Sequence, residues 1–404
     1  MPTTPITAGF LPLLDSILLV LAREKGFAED EGLDLTLFRE TSWANIRDRA
    51  ALGHFDIAQM LAPMPLAASL GLTPLATAMI APVVLGLGNN AITVSDALWQ
   101  AMAGQGAPGN LDPALTGAAL ARVVKGSARK LRFGVVHQTS SHNYELRYWL
   151  AASGIVPDRD LEIVVLPPPL LPDALGSGGI DGYCVGEPWN SVGVATKGGH
   201  IASVKALIWQ SSPDKVVGMR QAWADEHPNL VAAVIRAVYR AGLWCADPAN
   251  RREAAAIMAG AAYLNQEPAI VGRALTGMLD IGNGVLQQVP DYYIPHASAA
   301  NFPWKSHALW YYSQMVRWGE VAASAGNAAI AAASFRPDLY RQALAPLRAP
   351  LPLADFKSDG EHAAPYEIPA ENGPLSMGPD RFFDGATFDP EGLGDYIASQ
   401  SPLR

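Results

Sequence analysis

The sequence predicts a two-lobed α/β fold with a ligand cleft between the lobes. Three observations predict it. The chain has 404 residues, more than one ordinary compact core requires. Strand-like and helix-like segments alternate in two separate series, the order expected of largely parallel sheets flanked by helices. The chain turns Gly- and Ala-rich between about 96 and 130 and mostly helical from His227 onward, so it is expected to cross between lobes twice.

The first series opens with a strand over residues 5 to 10 and a helix from Leu14 to Lys25, ending near Gly26. Leu33, Leu35 and Leu37 alternate with Asp34 and Thr36, the period of a strand with one buried face. Residues 42 to 48 open a helix, with Thr41 or Ser42 as its N-cap. A strand over 55 to 61 and a short helix over 64 to 70 follow. In the Gly/Ala-rich stretch only one helix, around 115 to 125, stands out. The second series predicts strands at 131–136, 161–166 and 180–185, with helices at 143–153 and 171–176. Helices over 229–245 and 252–261 form the return. The last seventy residues, rich in Pro, Gly and Asp, read as an extended surface arm. The expected organisation is lobe I from 1–93 and 200–330, lobe II from 94–199, and an arm over 331–404. In open α/β sheets ligands sit beyond the carboxyl ends of the strands, and two such lobes can close around one.

Composition narrows the function. Half of the residues are hydrophobic, the formal net charge is −9, and no Lys/Arg cluster runs along the chain. Direct binding to nucleic acid or to an anionic membrane surface is therefore not expected. Cys184 and Cys245 are the only cysteines; they form no CxxC pair and read as buried thiols. Met1-Pro2-Thr3-Thr4 lacks the basic start of a secretory signal, and the apolar run from Ile17 to Ala22 is too short for a membrane span. On these grounds the expected location is cytoplasmic.

Several strings carry a family resemblance: Ser42-Trp43-Ala44-Asn45-Ile46-Arg47-Asp48, Asn90-Ala91-Ile92-Thr93, and Ser141-His142-Asn143-Tyr144-Glu145-Leu146-Arg147-Tyr148-Trp149. To these add Asp181-Gly182-Tyr183-Cys184-Val185-Gly186-Glu187-Pro188-Trp189-Asn190 and the shorter Pro213-Asp214-Lys215-Val216-Val217-Gly218. In this order, over residues 5 to 320, they resemble the nitrate/nitrite/bicarbonate solute-binding proteins of ABC transporters and their cytoplasmic sensor relatives. The resemblance implies a bilobal periplasmic-binding-protein (type II) fold with two Rossmann-like lobes. It implies an anion site of Trp43, Asn90, His142, the backbone N–H of Gly186 and Lys215. Family members often carry glutamine where Asn90 stands, which makes this donor about one methylene shorter. Arg47 and Glu187 are expected to stand just behind the site.

That set suits nitrate or nitrite. Nitrate is a flat monoanion without a proton, so a selective shell should present donors only and about one positive charge. Indole, amide, imidazole, backbone N–H and ammonium all donate, and Lys215 supplies the charge. His142 is expected just ahead of a helix starting at Asn143, where free N–H groups favour an anion. Glu187 is expected either to pair with Lys215 or Arg47 or to accept a hydroxyl, as a bicarbonate site would require.

Other features read as structural. His54 and Asp56 lack the further ligand a metal needs, and Gly176, Gly178 and Gly179 form a turn rather than a dinucleotide fingerprint. The aromatic cluster of Trp304, Trp310, Tyr311, Tyr312 and Trp318 reads as packing before docking. No GxSxG or HExxH pattern occurs, and neither an enzyme nor a cofactor or metal is expected. The leading functional expectation is a sensor for nitrate assimilation. By resemblance it would hold an ANTAR-type RNA-binding antiterminator protein and release it when the anion binds. The alternative is the solute-binding component of a nitrate, nitrite or bicarbonate ABC transporter.

Overall fold

The computed structural model describes residues 3–400; Met1 and Pro2, on which the reading of the N-terminus partly rests, and the last residues of the arm lie outside them. Lobe I is built on strands β1 (Thr4–Phe10), β2 (Leu33–Arg39), β3 (Ile57–Leu61) and β4 (Met79–Val84). After a short strand β5 (Leu87–Gly88), lobe II takes β6 (Asn90–Ser95), β7 (Leu131–Val135), β8 (Leu161–Val165), β9 (Gly182–Gly186) and β10 (Gly199–Val204). The chain then returns to lobe I as β11 (Lys215–Arg220). Sheet orders are β2-β1-β3-β11-β4 and β10-β6-β9-β7-β8. The crossings therefore fall just before Asn90 and after Val204, not at 93 and 200, because β6 and β10 pair with each other in the second sheet.

Both sheets are mixed rather than largely parallel. β1 runs parallel to β2 and β3, and β7 parallel to β8 and β9. β11 runs antiparallel to β3 and β4, and β6 antiparallel to β9 and β10. A βαβ crossover enforces parallel strands; a strand entered directly from the other lobe has no such constraint. This has a consequence for function. An antiparallel strand presents its first residue at the edge where its parallel neighbours end. Lys215, which opens β11, is thus paired with Leu61 at the end of β3, and Asn90, which opens β6, with Gly186 at the end of β9.

The Gly/Ala-rich stretch holds two helices, Asp96–Gly104 and Pro113–Gly126, where one was expected. Ser95 caps the first by accepting from the Leu98 N–H, and Leu98, Trp99 and Met102 form its buried face. The arm is less extended than its composition implies. It includes the helices Pro337–Leu344 and Leu393–Ser399 and buries Phe382 and Phe388. Phe382 stacks on Trp209, in the return connection, with ring centroids 5.1 Å apart. Tyr148 of lobe II donates to Asp384 at 2.9 Å, so the arm ties lobe II to the return connection. Of the aromatic cluster, Trp304, Trp310, Tyr311 and Tyr312 are buried and Trp318 packs partly buried against the core. Both cysteines are buried free thiols. Among the described residues no helix is long and apolar enough to cross a membrane.

Candidate functional site

Trp43 is the first residue of the helix Trp43–Ala51, whose N-cap Ser42 accepts from the Asn45 N–H at 3.2 Å. That cap turns the tryptophan into the cleft, where it is 1% exposed and its indole N–H has no partner within the chain. Lys215 lies beneath it, with Nζ 5.6 Å from the ring centroid. From lobe II, the helix carrying His142 runs Ser141–Ala152, so His142 sits inside the first turn rather than ahead of it. The reason is Ser140, which caps that turn by accepting from the Asn143 N–H at 3.0 Å and uses up one N–H expected to be free. Both ring nitrogens of His142 are buried without a hydrogen-bond partner.

Asn89, not Asn90, takes the turn conformation, with φ +77°, a backbone state Asn tolerates. Asn90 therefore starts a regular strand and points its side chain into the cleft. Its amide donates to Glu145 at 3.3 Å, while its Oδ1 is left without a donor. Gly186 needs to be glycine for a spatial reason: a Cβ there would lie 3.0 Å from Asp15 Oδ2 and 3.3 Å from Asn90 Oδ1. The five residues named from sequence are thus linked, through Asp15 and Asp214, into one buried cluster where the two lobes meet.

The shell is not made of donors only. Lys215 is held by Asp214 and by Asp15, whose Oδ2 stands 3.1 Å from Nζ without hydrogen-bond alignment. Gln59 donates to the other oxygen of Asp15, and Ser141 donates to Asp214 across the lobe boundary. His142 Nε2 lies 3.9 Å from Asp214. On the lobe II side Lys205 pairs with Glu145 and donates to the Pro213 carbonyl at 2.7 Å. None of these ionisable residues is more than 2% exposed. Asp15, Glu145, Lys205 and Asp214 were missed as site residues. Glu145 and Asp214 stand inside the matching strings, whereas nothing local marks Asp15 or Lys205.

Burial raises the Asp15 pKa to about 6 against the pull of Lys215, with Asp214 adding to the rise. Burial likewise raises Glu145 to about 7, opposed by Lys205. Asp214 is also penalised by burial, yet Lys215, His142 and Lys205 hold it below the usual carboxylate range. Burial and the neighbouring Lys215 keep His142 well below its ordinary value, hence neutral. Lys215 resists its own burial because Asp15 and Asp214 stabilise its charge.

Glu187 and Arg47 do not engage each other or Lys215. Glu187 turns its carboxylate away, accepting from Tyr292 at 2.8 Å and from the Ser191 N–H at 3.1 Å. Arg47 is taken by the adjacent Asp48 at 2.6 Å and touches His137 at 3.5 Å. What places Glu187 in the site is its backbone: its carbonyl accepts from the Leu14 N–H of lobe I at 2.7 Å. Among the described residues no group of three or more His, Cys, Asp or Glu side chains is arranged to hold a metal ion.

Residues 1–259 match the model of the NMT1-like family. A protein named nitrate/nitrite binding protein NrtA, from Synechococcus elongatus, is 34% identical over 97% of this chain and 85% of its own length. A Synechocystis protein named bicarbonate transport ATP-binding protein CmpC is 36% identical over 78% of this chain and 46% of its own length. The crystal structure of the periplasmic nitrate-binding protein NrtA from Synechocystis superposes with a TM-score of 0.86 at 26% identity, covering 99% of both chains. The bilobal periplasmic-binding-protein-like architecture is the one these two structures share.

Proposed function

The chain belongs to the NMT1-like family, and on that premise we propose that it is the solute-binding protein of an ABC importer, closing its lobes around nitrate or nitrite. The carrying observation is the buried cluster that joins Trp43, His142, Lys215 and Gly186 at the lobe boundary, with the indole N–H and both imidazole nitrogens unpartnered. Buried polar groups are normally satisfied, so these atoms mark where a small polar ligand is received. The relatives' names support the anion class and the transport setting; those of the NrtA type are binding proteins rather than enzymes.

Bicarbonate is a second reading with its own observation: Asn90 Oδ1 and Asp15 Oδ2 are acceptors beside Gly186, and a bicarbonate hydroxyl needs one. Calorimetric titration with nitrate, nitrite and bicarbonate tests both readings together. Saturable one-to-one binding of any of them supports the oxyanion site; no heat and no protection against thermal unfolding from all three removes it.

The sensor reading uses the same site with a different partner. It places the protein in the cytoplasm, releasing an RNA-binding antiterminator of the ANTAR type when the anion binds. It requires the anion to favour the lobe arrangement that binds the regulator less well. Co-purification of such a regulator only without nitrate would favour the sensor; co-purification with transporter subunits would favour the importer.

A further inference from the structure

Counted as ions, the enclosed cluster carries three carboxylates, Asp15, Asp214 and Glu145, against two ammonium groups, Lys205 and Lys215. With His142 neutral the sum is one negative charge. A nitrate ion entering this space would add a second, in surroundings where charge repulsion is poorly screened. The site also lacks a donor on one side. Asp15 Oδ2, 3.0 Å from the position a Gly186 Cβ would take, faces Lys215 at 3.1 Å as an ion pair but accepts no aligned hydrogen bond, so it remains an acceptor beside Gly186. Both difficulties have the same remedy. A proton on Asp15 Oδ2 removes the surplus charge and turns the acceptor into a donor.

We propose that the protein takes up its anion together with one proton from solvent, and that Asp15 Oδ2 receives it. This rests on the oxyanion reading above. The step forms one O–H bond on Asp15 and breaks none in the ligand; the anion enters with its own charge unchanged. Asp15 is placed for this by every element packed around it. Gln59 of β3 fixes its other oxygen, so Oδ2 is held toward the cleft. Lys215 of β11 faces it at 3.1 Å, and Asp214, sharing that lysine, keeps its own charge and lets Asp15 be the one to give way. From lobe II come Asn90 Oδ1, the Gly186 backbone and, beyond Asp214, the neutral His142. Glu145, raised to about 7 by burial, also faces the cluster, but both its oxygens are engaged, one by Lys205 and the other by the Asn90 amide; Tyr293 stands as an un-ionised phenol nearby, and Glu187 is turned toward Tyr292. The raised pKa of Asp15 in the site as it stands agrees with a carboxyl close to protonation.

The test is proton counting. Nitrate binding is titrated calorimetrically from pH 6 to 8.5 in buffers of differing ionisation enthalpy; nitrate itself carries no proton in that range. The expected result is about one proton taken up per nitrate at pH 8, with Kd weakening about tenfold per pH unit above neutrality. Asp15→Asn should bind nitrate with no proton uptake and a flat pH profile. A wild-type profile that is flat, with no proton taken up, overturns the coupling and leaves the oxyanion reading standing. Undiminished uptake in Asp15→Asn overturns the assignment to Asp15. Binding of bicarbonate alone, without uptake, overturns the coupling in favour of a ligand that brings its own hydrogen. Failure of every oxyanion at every pH removes the functional reading and this inference with it. Should Asp15→Asn not fold, the wild-type proton count decides the coupling, and a new protonated-carboxyl infrared band on nitrate binding that is altered in Asp15→Glu decides the residue; an unaltered band overturns the assignment to Asp15.

Discussion

Trp189 of lobe II donates its indole N–H to the carbonyl of Pro12 in lobe I at 2.9 Å, about three residues along each chain segment from Gly186 and Asp15, which face each other between the lobes. The bond exists only when the lobes meet, so it stabilises the closed arrangement and does not touch the ligand position. Trp189→Phe removes this hydrogen bond along with part of the ring and should lose about 1 kcal/mol of closure or somewhat more. The expected outcome is a several-fold faster release of the anion in stopped-flow measurements, with an unchanged association rate. Unchanged release would show that closure does not depend on this contact.

Gly186→Ala tests the space between the lobes. Its methyl would sit 3.0 Å from Asp15 Oδ2 and 3.3 Å from Asn90 Oδ1, closer than ordinary contacts allow. Anion affinity should drop by a factor of about a hundred, in keeping with the roughly 1–3 kcal/mol typical of overpacking. The melting temperature reports whether the loss is local: a shift of only a few degrees is expected.

Replacing the charge and replacing the indole should have different consequences. Lys215→Ala leaves Asp15 and Asp214 buried without their cation, and breaking such a group by removing one partner costs roughly 3–5 kcal/mol. Urea denaturation should therefore show a clear loss of stability as well as lost binding. Trp43→Phe keeps one buried aromatic ring but removes the unpartnered N–H together with the rest of the indole. It should weaken nitrate binding by roughly 1.5–3 kcal/mol, the range for a hydrogen bond to a charged group, with a smaller loss of stability than Lys215→Ala because no buried ion is left unpaired.

Much of this site was legible in the sequence because its donors lie in short strings of fixed order. Trp43, Asn90, His142, Gly186 and Lys215 fall in those strings, and the structure gathers them into one buried cluster. The counter-charges were not legible. An aspartate at a helix start, as Asp15 is, reads as a first-turn acid complementing the helix dipole; its pairing with Lys215 is made two hundred residues away in sequence. The direction of strands was equally hidden. Alternation marks Leu33 to Leu37 as a strand but says nothing of whether β11 or β6 runs with or against its neighbours. The helix Asp96–Gly104 did leave a signal, Ser95-Asp96 followed by Leu98, Trp99 and Met102, which the surrounding alanines and glycines obscured. The arm misled by composition, since its prolines and glycines punctuate short elements whose anchors, Phe382 and Phe388, are single residues.

Stability against pH gives an independent view of Asp15. Its pKa is raised to about 6 in the folded chain against about 3.9 for an unfolded aspartate. The folded state thus binds this proton more tightly, and the stability that it contributes is complete below about pH 4 and lost as pH rises through about 6. Asp15→Asn lacks that dependence. Relative to wild type it should gain on the order of 2–3 kcal/mol in unfolding free energy between pH 4 and pH 7.5, read from urea titrations at the two values. A difference that is constant with pH would contradict the raised pKa.

The stack of Phe382 on Trp209 fastens the tail of the chain to the segment that must flex whenever the jaws part. Motion at the mouth should therefore pull on the arm where it is anchored, around Phe382 and Asp384. A fluorophore attached near residue 384 would report capture of the ion without standing anywhere near it, and shortening the tail would alter how readily the jaws part while every contacting side chain stayed in place.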